Sequence, residues 1–284
     1  MVVAAPNMST SQDKSQGLGI IRSLWASLSR SEDYLPKERS FYGKVAIVTG
    51  AMNGPGFETC RQLLSHGIAK VIMATRFWKE GERNTEPLRK EFPAAIIEVW
   101  EIEMDSYESI TEFAIRVYDD LERLDMVILN SGFAASEVDL EEYNKEREVR
   151  FQVNYLSTAL LGTLLLGALR EKSPKNELGR LTLVTKADFH FFRMIKKIFF
   201  KPNNEPEVKK QLLEYWVQNQ LLGYHFVEQL ASFIPSEQVL INAVCYRGPT
   251  KKTLSRGSLP YIDALLVKGI ESHGKYIEKR HAAK

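Results

Sequence analysis

Residues 44–57 read KVAIVTGAMNGPGF, a short apolar run followed at once by three closely spaced glycines. The run lacks alternation of polar and apolar residues, which is typical of a strand buried on both faces. Gly50 allows the chain to turn sharply, and Gly54 and Gly56 leave out side chains where a backbone must approach a pyrophosphate. The stretch therefore predicts a strand, a phosphate-binding loop and a following helix.

The helix expected to begin near Pro55 would direct its free N–H groups and the positive end of its dipole at a bound anion. Proline suits the first helical turn, where its missing N–H costs no hydrogen bond. Asn53 lies in the same loop and is predicted, with the three glycines, to contact the cofactor. A purely structural glycine turn is the alternative, but the place of the loop between a strand and a helix favours dinucleotide binding.

Five further apolar runs follow, and helical patterns separate them. The runs lie at residues 70–75, 95–101, 124–130, 180–185 and 239–244, and the clearest helical patterns at 55–64, 106–121, 141–169 and 207–233. Strands that alternate with helices and lack polar alternation indicate a parallel sheet covered on both sides. We therefore predict an α/β fold with a single Rossmann-type doubly wound parallel sheet and helices on both faces.

The 284-residue chain divides into two parts by composition. Residues 41–284 are predicted to form the Rossmann-type domain, and residues 1–40 an N-terminal extension. Within the extension, Ile20, Ile21, Leu24, Trp25 and Leu28 fall on one face of an amphipathic helix. That helix either packs on the body of the protein or binds a membrane surface or a hydrophobic partner.

Composition argues against nucleic-acid binding, a membrane span and a zinc site. A net charge of +2 gives no global field that favours nucleic acid, and the basic and aromatic segment 190–210 is interpreted as a pocket wall or self-association surface. Two cysteines in apolar surroundings, without a signal layout, indicate a reducing, cytoplasmic location. The chain has no stretch of about 18 uncharged apolar residues, so we expect no membrane span. The five histidines lack the spacing of a zinc site.

The end of the second predicted strand indicates which dinucleotide is bound. An acidic residue there would bind the ribose hydroxyls of NAD, but the chain has Thr75 and Arg76. An arginine pairs with the 2′-phosphate of NADP, and no acid at this strand end would repel that phosphate. We therefore predict NADP(H) as the cofactor; a solvated surface arginine is the alternative.

Three segments resemble the short-chain dehydrogenase/reductase family: TGAMNGPG in the glycine loop, LNSG at 129–132 and FQVNYLSTALLGTLLL at 151–166. The resemblance covers about residues 42–273 and is strongest to the retinol-dehydrogenase-like branch, especially fungal members among secondary-metabolite tailoring enzymes. It implies that Glu103 lies where an acid contacts the adenine. It also implies that Asn130 and Gly132 line the cofactor and that Asn154 takes part in a proton relay.

The same resemblance implies a catalytic tyrosine, a lysine one helical turn later and a serine after the fifth strand. The match of QLLGYHFVEQLA (220–231) to the family pattern puts Trp216 at the tyrosine and Gln220 at the lysine position. Trp has no usable acid–base pKa, and Gln is neutral. Lys186 falls at the serine, beside Thr185. Tyr215 lies one position early, a rotation of roughly 100° on a helix.

The predicted catalytic set is therefore Asn154, Thr185, Lys186 and Tyr215. Three hypotheses follow. The first is an NADP(H)-dependent tailoring oxidoreductase that acts on a small-molecule carbonyl or alcohol in secondary metabolite biosynthesis, with an atypical or impaired site. The second is a non-redox isomerase, cyclase or dehydratase on the same scaffold, and the third is a non-catalytic pseudoenzyme. Relatives pair through helices equivalent to 141–169 and 207–233, which implies a homo-oligomer.

Overall fold

The computed structural model describes residues 41–132, 149, 151–185, 221–245, 254–266 and 268–277. The described residues all belong to one compact unit, Glu38–Lys284. The predicted N-terminal extension at 1–40 lies outside the described residues, so its helix and its boundary stay predictions. Four other groups of predicted site residues also lie outside them: Lys186, the segment 190–210, Tyr215 with Trp216, and Gln220.

One seven-stranded sheet organises the described residues. Its strands are β1 (Val45–Thr49), β2 (Lys70–Thr75), β3 (Ile96–Glu101), β4 (Met126–Leu129), β5 (Gly179–Thr185), β6 (Val239–Cys245) and β7 (Tyr276–Ile277). The spatial order is β3-β2-β1-β4-β5-β6-β7, and every neighbouring pair is parallel. This arrangement confirms the predicted doubly wound parallel sheet. The two-residue strand β7 was not among the predicted strands.

Helices connect the strands. They are α1 (Gly54–Ser65), α2 (Trp78–Glu91), α3 (Tyr107–Asp120), α4 (Thr158–Lys172), α5 (221–233) and α6 (Leu254–Leu266). A π-helical segment, Gln152–Ser157, runs directly into α4, and a 3₁₀ turn, Ile270–Ser272, precedes β7. The predicted helical pattern at 141–169 thus contains a π-helical segment and extends to Lys172.

The main apolar core lies on one face of the sheet. Helices α3, α4 and α5 contribute buried residues such as Phe113, Leu165 and Val227, which pack with strand residues such as Ile47 and Leu181. Strand side chains alternate between faces, so the intervening buried residues face the opposite layer. In that layer α6 packs against α1, and Gln62 Nε2 donates a hydrogen bond of 3.0 Å to Ser258 Oγ.

The continuous helical stretch Gln152–Lys172 is apolar enough and long enough, by composition alone, to cross a membrane. This differs from the expectation that no segment would pass such a test. Half of the stretch is buried inside the protein, and Leu161, Leu165 and Leu169 are fully buried in the core. Its apolar composition is therefore explained by its position in the core of the fold.

His273 joins the last strands to the end of helix α5. Its Nδ1 accepts a hydrogen bond of 3.2 Å from the backbone N–H of Ile241. Its Nε2 lies 3.0 Å and 2.9 Å from the carbonyl oxygens of Ala231 and Ile234, to which it donates. These contacts require the tautomer with the proton on Nε2, and they give His273 a packing role.

Candidate functional site

The parallel strands place their carboxyl ends at one edge of the sheet, and β1 and β4 meet at the point where the strand order reverses. Ligands of open α/β sheets bind in the crevice at this switch point. The glycine loop leaves β1 here. Gly50 and Gly54 have φ angles of +62° and +56°, a left-handed conformation that glycine adopts without the steric penalty of a Cβ. The sharp turn predicted at Gly50 is therefore present in the backbone, and phosphate binding by the loop stays a prediction.

Gly56 lies against the start of the loop at a distance that admits no side chain. A Cβ added at Gly56 would lie 2.3 Å from the carbonyl oxygen of Gly50 and 2.6 Å from Nδ2 of Asn130. Real Cβ atoms essentially never approach other atoms so closely. This packing brings Gly50, Gly56 and Asn130 into direct contact, so glycine is required here by the protein's own backbone. The approach of Gly56 to a pyrophosphate stays a prediction.

Asn130 and Thr49 fix the loop to the end of β4. The Asn130 amide Nδ2 donates to the carbonyl oxygens of Thr49, at 3.1 Å, and Gly50, at 3.3 Å. In return, Thr49 Oγ1 accepts from the backbone N–H groups of Asn130 and Ser131, both at 3.0 Å. Thr49 was not among the predicted site residues. A hydroxyl side chain at the last position of a buried strand, next to the loop, was the available signal.

Helix α1 presents its amino end at this loop. Asn53 is the N-cap residue, with extended backbone angles and no side-chain capping hydrogen bond, and Pro55 lies in the first turn. The Asn53 side chain is exposed. A helix start without a capping side chain leaves N–H donors for an anion. The glycine loop and the N–H donors of this helix end together fit the pyrophosphate of a dinucleotide.

Arg76 follows β2 at the same edge, where a 2′-phosphate was predicted to bind. Its Nη2 forms an ion pair with Oδ2 of Asp105, in the turn after β3. The end of β2 itself carries no acid, as the sequence indicated, but the acid that contacts Arg76 comes from a different segment of the chain. The parallel pairing of Thr75 with Glu101 brings the turn after β3 beside Arg76.

Hydrogen bonds fix the turn between β3 and α3. The Ile102 N–H donates to the carbonyl oxygen of Thr75 at 3.0 Å. The Glu103 N–H donates to Ser109 Oγ at 3.0 Å, and Ser106 caps α3 by accepting from the Ser109 N–H. Glu103 itself is exposed, as an acid that reaches an adenine would be. Its predicted adenine contact stays a prediction.

Asn154 lies within the π-helical segment that precedes α4, and its side chain is partly buried. Insertions of this kind are rare and frequently mark functional sites. Two residues earlier, Gln152 Nε2 donates a hydrogen bond of 2.7 Å to the carbonyl oxygen of Asp105. The segment that carries Asn154 is therefore tied to the turn beside Arg76, a link that a sequence pattern does not reveal.

Thr185 ends β5 with its side chain buried. Its Oγ1 lies 3.3 Å from the carbonyl oxygen of Val244 and 3.2 Å from the hydroxyl of Tyr276. The hydroxyl thus joins β5 to β6 and β7. Its predicted catalytic role stays a prediction, since contact with a substrate would compete with these hydrogen bonds.

The remaining catalytic predictions concern Lys186, Tyr215, and the Trp216 and Gln220 positions, all outside the described residues. Gly132, a predicted cofactor contact, directly follows Ser131 at the carboxyl end of β4. Across the parts of the chain that the structure describes, no group of three or more His, Cys, Asp and Glu side chains could hold a metal ion. The described groups around the glycine loop are backbone N–H and carbonyl groups, the Asn130 amide and the Arg76 guanidinium.

Known proteins are similar to this chain in sequence and in fold. A family model described as short chain dehydrogenase matches residues 44–181. The short chain dehydrogenase/reductase mfmJ of Annulohypoxylon moriforme is 35% identical over 276 residues, which cover 86% of this chain and 78% of mfmJ. The chain belongs to the short chain dehydrogenase family. This membership confirms the resemblance that the glycine loop and the Asn154 helix indicated.

A second fungal short chain dehydrogenase, virL of Hypocrea virens, is 32% identical over 279 residues, which cover 89% of this chain and 81% of virL. Among solved structures, the Pseudomonas aeruginosa RhlG/NADP complex matches with a TM-score of 0.66 at 16% identity, over 86% of this chain and 97% of RhlG. The oxidoreductase yciK from E. coli matches with a TM-score of 0.66 at 18% identity, over 88% of this chain and 100% of yciK. These structural likenesses show the fold. By family, this short chain dehydrogenase is an oxidoreductase that uses a nicotinamide cofactor and a small-molecule substrate.

Proposed function

We propose that this short chain dehydrogenase is an NADP(H)-dependent oxidoreductase that acts on a small-molecule carbonyl or alcohol in secondary metabolite biosynthesis, with an atypical or impaired catalytic site. The close contact of Gly56 with Gly50 and Asn130 is the observation that carries the proposal. Such a cradle lets a pyrophosphate approach the backbone at the start of α1. The resemblance to fungal tailoring enzymes, together with relatives such as mfmJ and virL, supports the biosynthetic role.

The site residues that the structure describes have separate tasks in this proposal. The N–H groups at the start of α1 bind the pyrophosphate, and Asn130 and Thr49 hold the loop in the required shape. Arg76 binds the 2′-phosphate, and Glu103 reaches the adenine. A bound nicotinamide would supply or accept the hydride. Asn154, in the π-helical segment, takes part in moving the proton that accompanies it.

Proton transfer is the part of the reaction for which this chain differs from the family pattern. Trp216 and Gln220 stand at the tyrosine and lysine positions, and neither side chain transfers a proton near neutral pH. Tyr215 and Lys186 are therefore the proposed donors. Lys186 would place an ammonium group where the family has a serine hydroxyl. Thr185 would contribute by holding the strand end beside Lys186.

A second candidate function is a non-redox or non-catalytic protein that keeps the dinucleotide site. Two simultaneous replacements, Trp216 and Gln220, at the family's acid–base pair favour this candidate. Cofactor binding occurs in both cases, so turnover separates them. Conversion of a metabolite without change in the cofactor would support a non-redox enzyme. An unchanged metabolite profile in a knockout strain would support a non-catalytic role.

The test begins with calorimetric titration of NADPH and NADP into the purified protein. Saturable binding is expected, and no binding at millimolar cofactor would contradict the proposal. A panel of carbonyl substrates is then followed at 340 nm. Tyr215→Phe is expected to lower turnover by at least about 100-fold if this hydroxyl gives the proton. Tyr224→Phe is the matched control. The phenol of Tyr224 is hydrogen-bonded to Glu228 on the same helix, α5, so turnover should stay unchanged.

A further inference from the structure

The guanidinium of Arg76 is engaged with a carboxylate at the place where the proposed function needs a cation. Its Nη2 donates to Oδ2 of Asp105 in a charge-assisted hydrogen bond. Glu103, two residues earlier in the same turn, adds a second negative charge that acts on Arg76. One positive and two negative charges thus share this edge of the adenosine subsite, which differs from the unopposed cation that a 2′-phosphate prefers.

We propose that Asp105 is a specificity-determining residue, which competes with the 2′-phosphate for Arg76 and so reduces the preference for NADP(H) over NAD(H). This inference rests on the proposed function, since it requires that the glycine loop bind a dinucleotide. A phosphate monoester carries nearly two negative charges at neutral pH. It must either displace Asp105 from the guanidinium or bind beside a carboxylate that repels it. NADH and NAD lack this phosphate, so they bind without displacing Asp105 and without this repulsion.

The turn that carries Asp105 does not readily move aside. Gln152, in the π-helical segment, donates to the Asp105 carbonyl oxygen at 2.7 Å. On the other side, the Ile102 and Glu103 N–H groups are bonded to the Thr75 carbonyl and to Ser109. The backbone of the turn is therefore fixed at both ends. Release of Arg76 must come from rotation of the two side chains, both of which are partly exposed.

Asp105 also keeps its charge under ordinary assay conditions. The hydrogen bond from Arg76 is the main cause that lowers the pKa of Asp105 below its ordinary value of 3.8. The carboxylate is therefore ionised throughout the neutral range, where cofactor binding is measured. Protonation does not relieve the competition, so only substitution of Asp105 removes it.

Asp105→Asn tests the proposal directly, because the amide keeps the size of the side chain and removes its charge. The probes are 2′,5′-ADP and 5′-AMP, which differ by the 2′-phosphate, together with NADPH and NADH, all titrated by calorimetry. We expect Asp105→Asn to tighten binding of 2′,5′-ADP and NADPH about tenfold. Binding of 5′-AMP and NADH should change by less than about twofold. Glu112→Gln, which removes an exposed carboxylate from α3, is the matched control and should change none of the four.

A second pair of variants keeps the test decisive if Asp105→Asn folds poorly. Asp105→Ser should give the same gain, and Arg76→Gln should lose affinity for NADPH. The gain from Asp105→Asn should be clearly smaller in the Arg76→Gln background, because the competition for the guanidinium is then absent and only the repulsion between Asp105 and the phosphate is relieved. Thermal unfolding of every variant is compared with the parent protein, so that affinity is measured only on folded samples.

Two outcomes would overturn the proposal and are distinguishable from each other. If the dinucleotides bind but Asp105→Asn leaves the ratio of NADPH to NADH affinity unchanged, or lowers it, Asp105 does not compete with the phosphate. The inference is then wrong while the proposed function stands. If neither the parent protein nor the variants bind any dinucleotide, the proposed function is wrong, and the inference is wrong with it.

Discussion

The two sides of the sheet use their carboxyl ends differently. On the side of β1 to β4, the glycine loop depends on a contact that leaves no room for a side chain, where Gly56 lies against the carbonyl of Gly50. On the side of β5 to β7, the strand ends are joined by a contact between two side chains, Thr185 and Tyr276. A contact without room for a Cβ accepts only glycine, whereas a contact between side chains accepts several residue types. The sequence shows the same contrast, because the glycine loop keeps the family pattern, while the family's tyrosine and lysine positions carry Trp216 and Gln220.

This difference means that cofactor binding and proton transfer can be separated by substitution. Changes in the glycine loop should remove dinucleotide binding. Changes around β5 to β7 should alter stability or turnover and leave dinucleotide binding intact.

Gly56→Ala should have the largest effect on cofactor binding. The new Cβ would lie 2.3 Å from the Gly50 carbonyl oxygen, so the loop must shift. We expect a stability loss of about 1–3 kcal/mol and a loss of NADPH affinity of at least about tenfold, measured by urea unfolding and calorimetry. Gly67→Ala is the control. Gly67 has φ +80° with nothing within 4 Å of an added Cβ, so its strain should cost about 1–2 kcal/mol without a change in affinity.

His273→Ala should destabilise the packing around β6 and the end of α5 without changing the affinity for NADPH. It removes the acceptor for the Ile241 N–H and the donor to Ala231 and Ile234. We expect a loss of about 1–3 kcal/mol in the free energy of unfolding, because a backbone group inside the sheet loses its partner. His225→Ala, at an exposed position on α5, should change stability by less than about 0.5 kcal/mol. A large loss of NADPH affinity in folded His273→Ala would show that the two sides are coupled.

Thr185→Val should lower stability by about 1 kcal/mol, because it removes the hydroxyl that contacts Val244 and Tyr276. Thr182→Val is a matched control from the same strand, since it removes a hydroxyl that donates to Asn242 at 2.8 Å. Both should bind NADPH as the parent does. Where turnover is found, a fall confined to Thr185→Val would support the predicted catalytic role of Thr185.

Loss of the Arg76–Asp105 ion pair in Asp105→Asn should give the smallest change in the free energy of unfolding, and that change should depend on pH. The folded-state pKa of Asp105 is lowered, chiefly by the hydrogen bond from Arg76. The pair's contribution is therefore full above the unfolded pKa, about 3.9, and is lost as pH falls through the lower folded pKa. For so exposed a pair we expect about 0.2–1 kcal/mol. The stability difference between the parent and Asp105→Asn should be present at neutral pH and vanish below the folded pKa; a difference that grows on acidification would contradict it.

The sequence predicted β1 to β6 well, because each is a short run rich in apolar residues. Strands β1 and β2 are buried almost throughout, and only the edge strand β3 has exposed residues at both ends. It did not predict α6, where Gly257 and Pro260 weaken the helical pattern. It also did not predict β7, whose two residues are too few for a pattern. Both elements owe their structure to packing: α6 lies on α1, and β7 pairs with β6.

The candidate site was predictable only where one segment forms it. The glycine loop follows from a single stretch, so Gly50, Gly54 and Gly56 could be identified together. The ion pair between Arg76 and Asp105 joins residues that the register of β2 and β3 brings together. Its existence depends on that register, which a motif search at one strand end does not include. The bond from Gln152 to Asp105 is likewise a tertiary contact.

Calorimetric titration of NADPH into the parent protein and into Gly56→Ala tests the central claim most directly. The account predicts one saturable site in the parent protein and a marked loss of binding in the folded variant. Absence of binding to the parent protein at millimolar NADPH, or equal binding to both proteins, would contradict it.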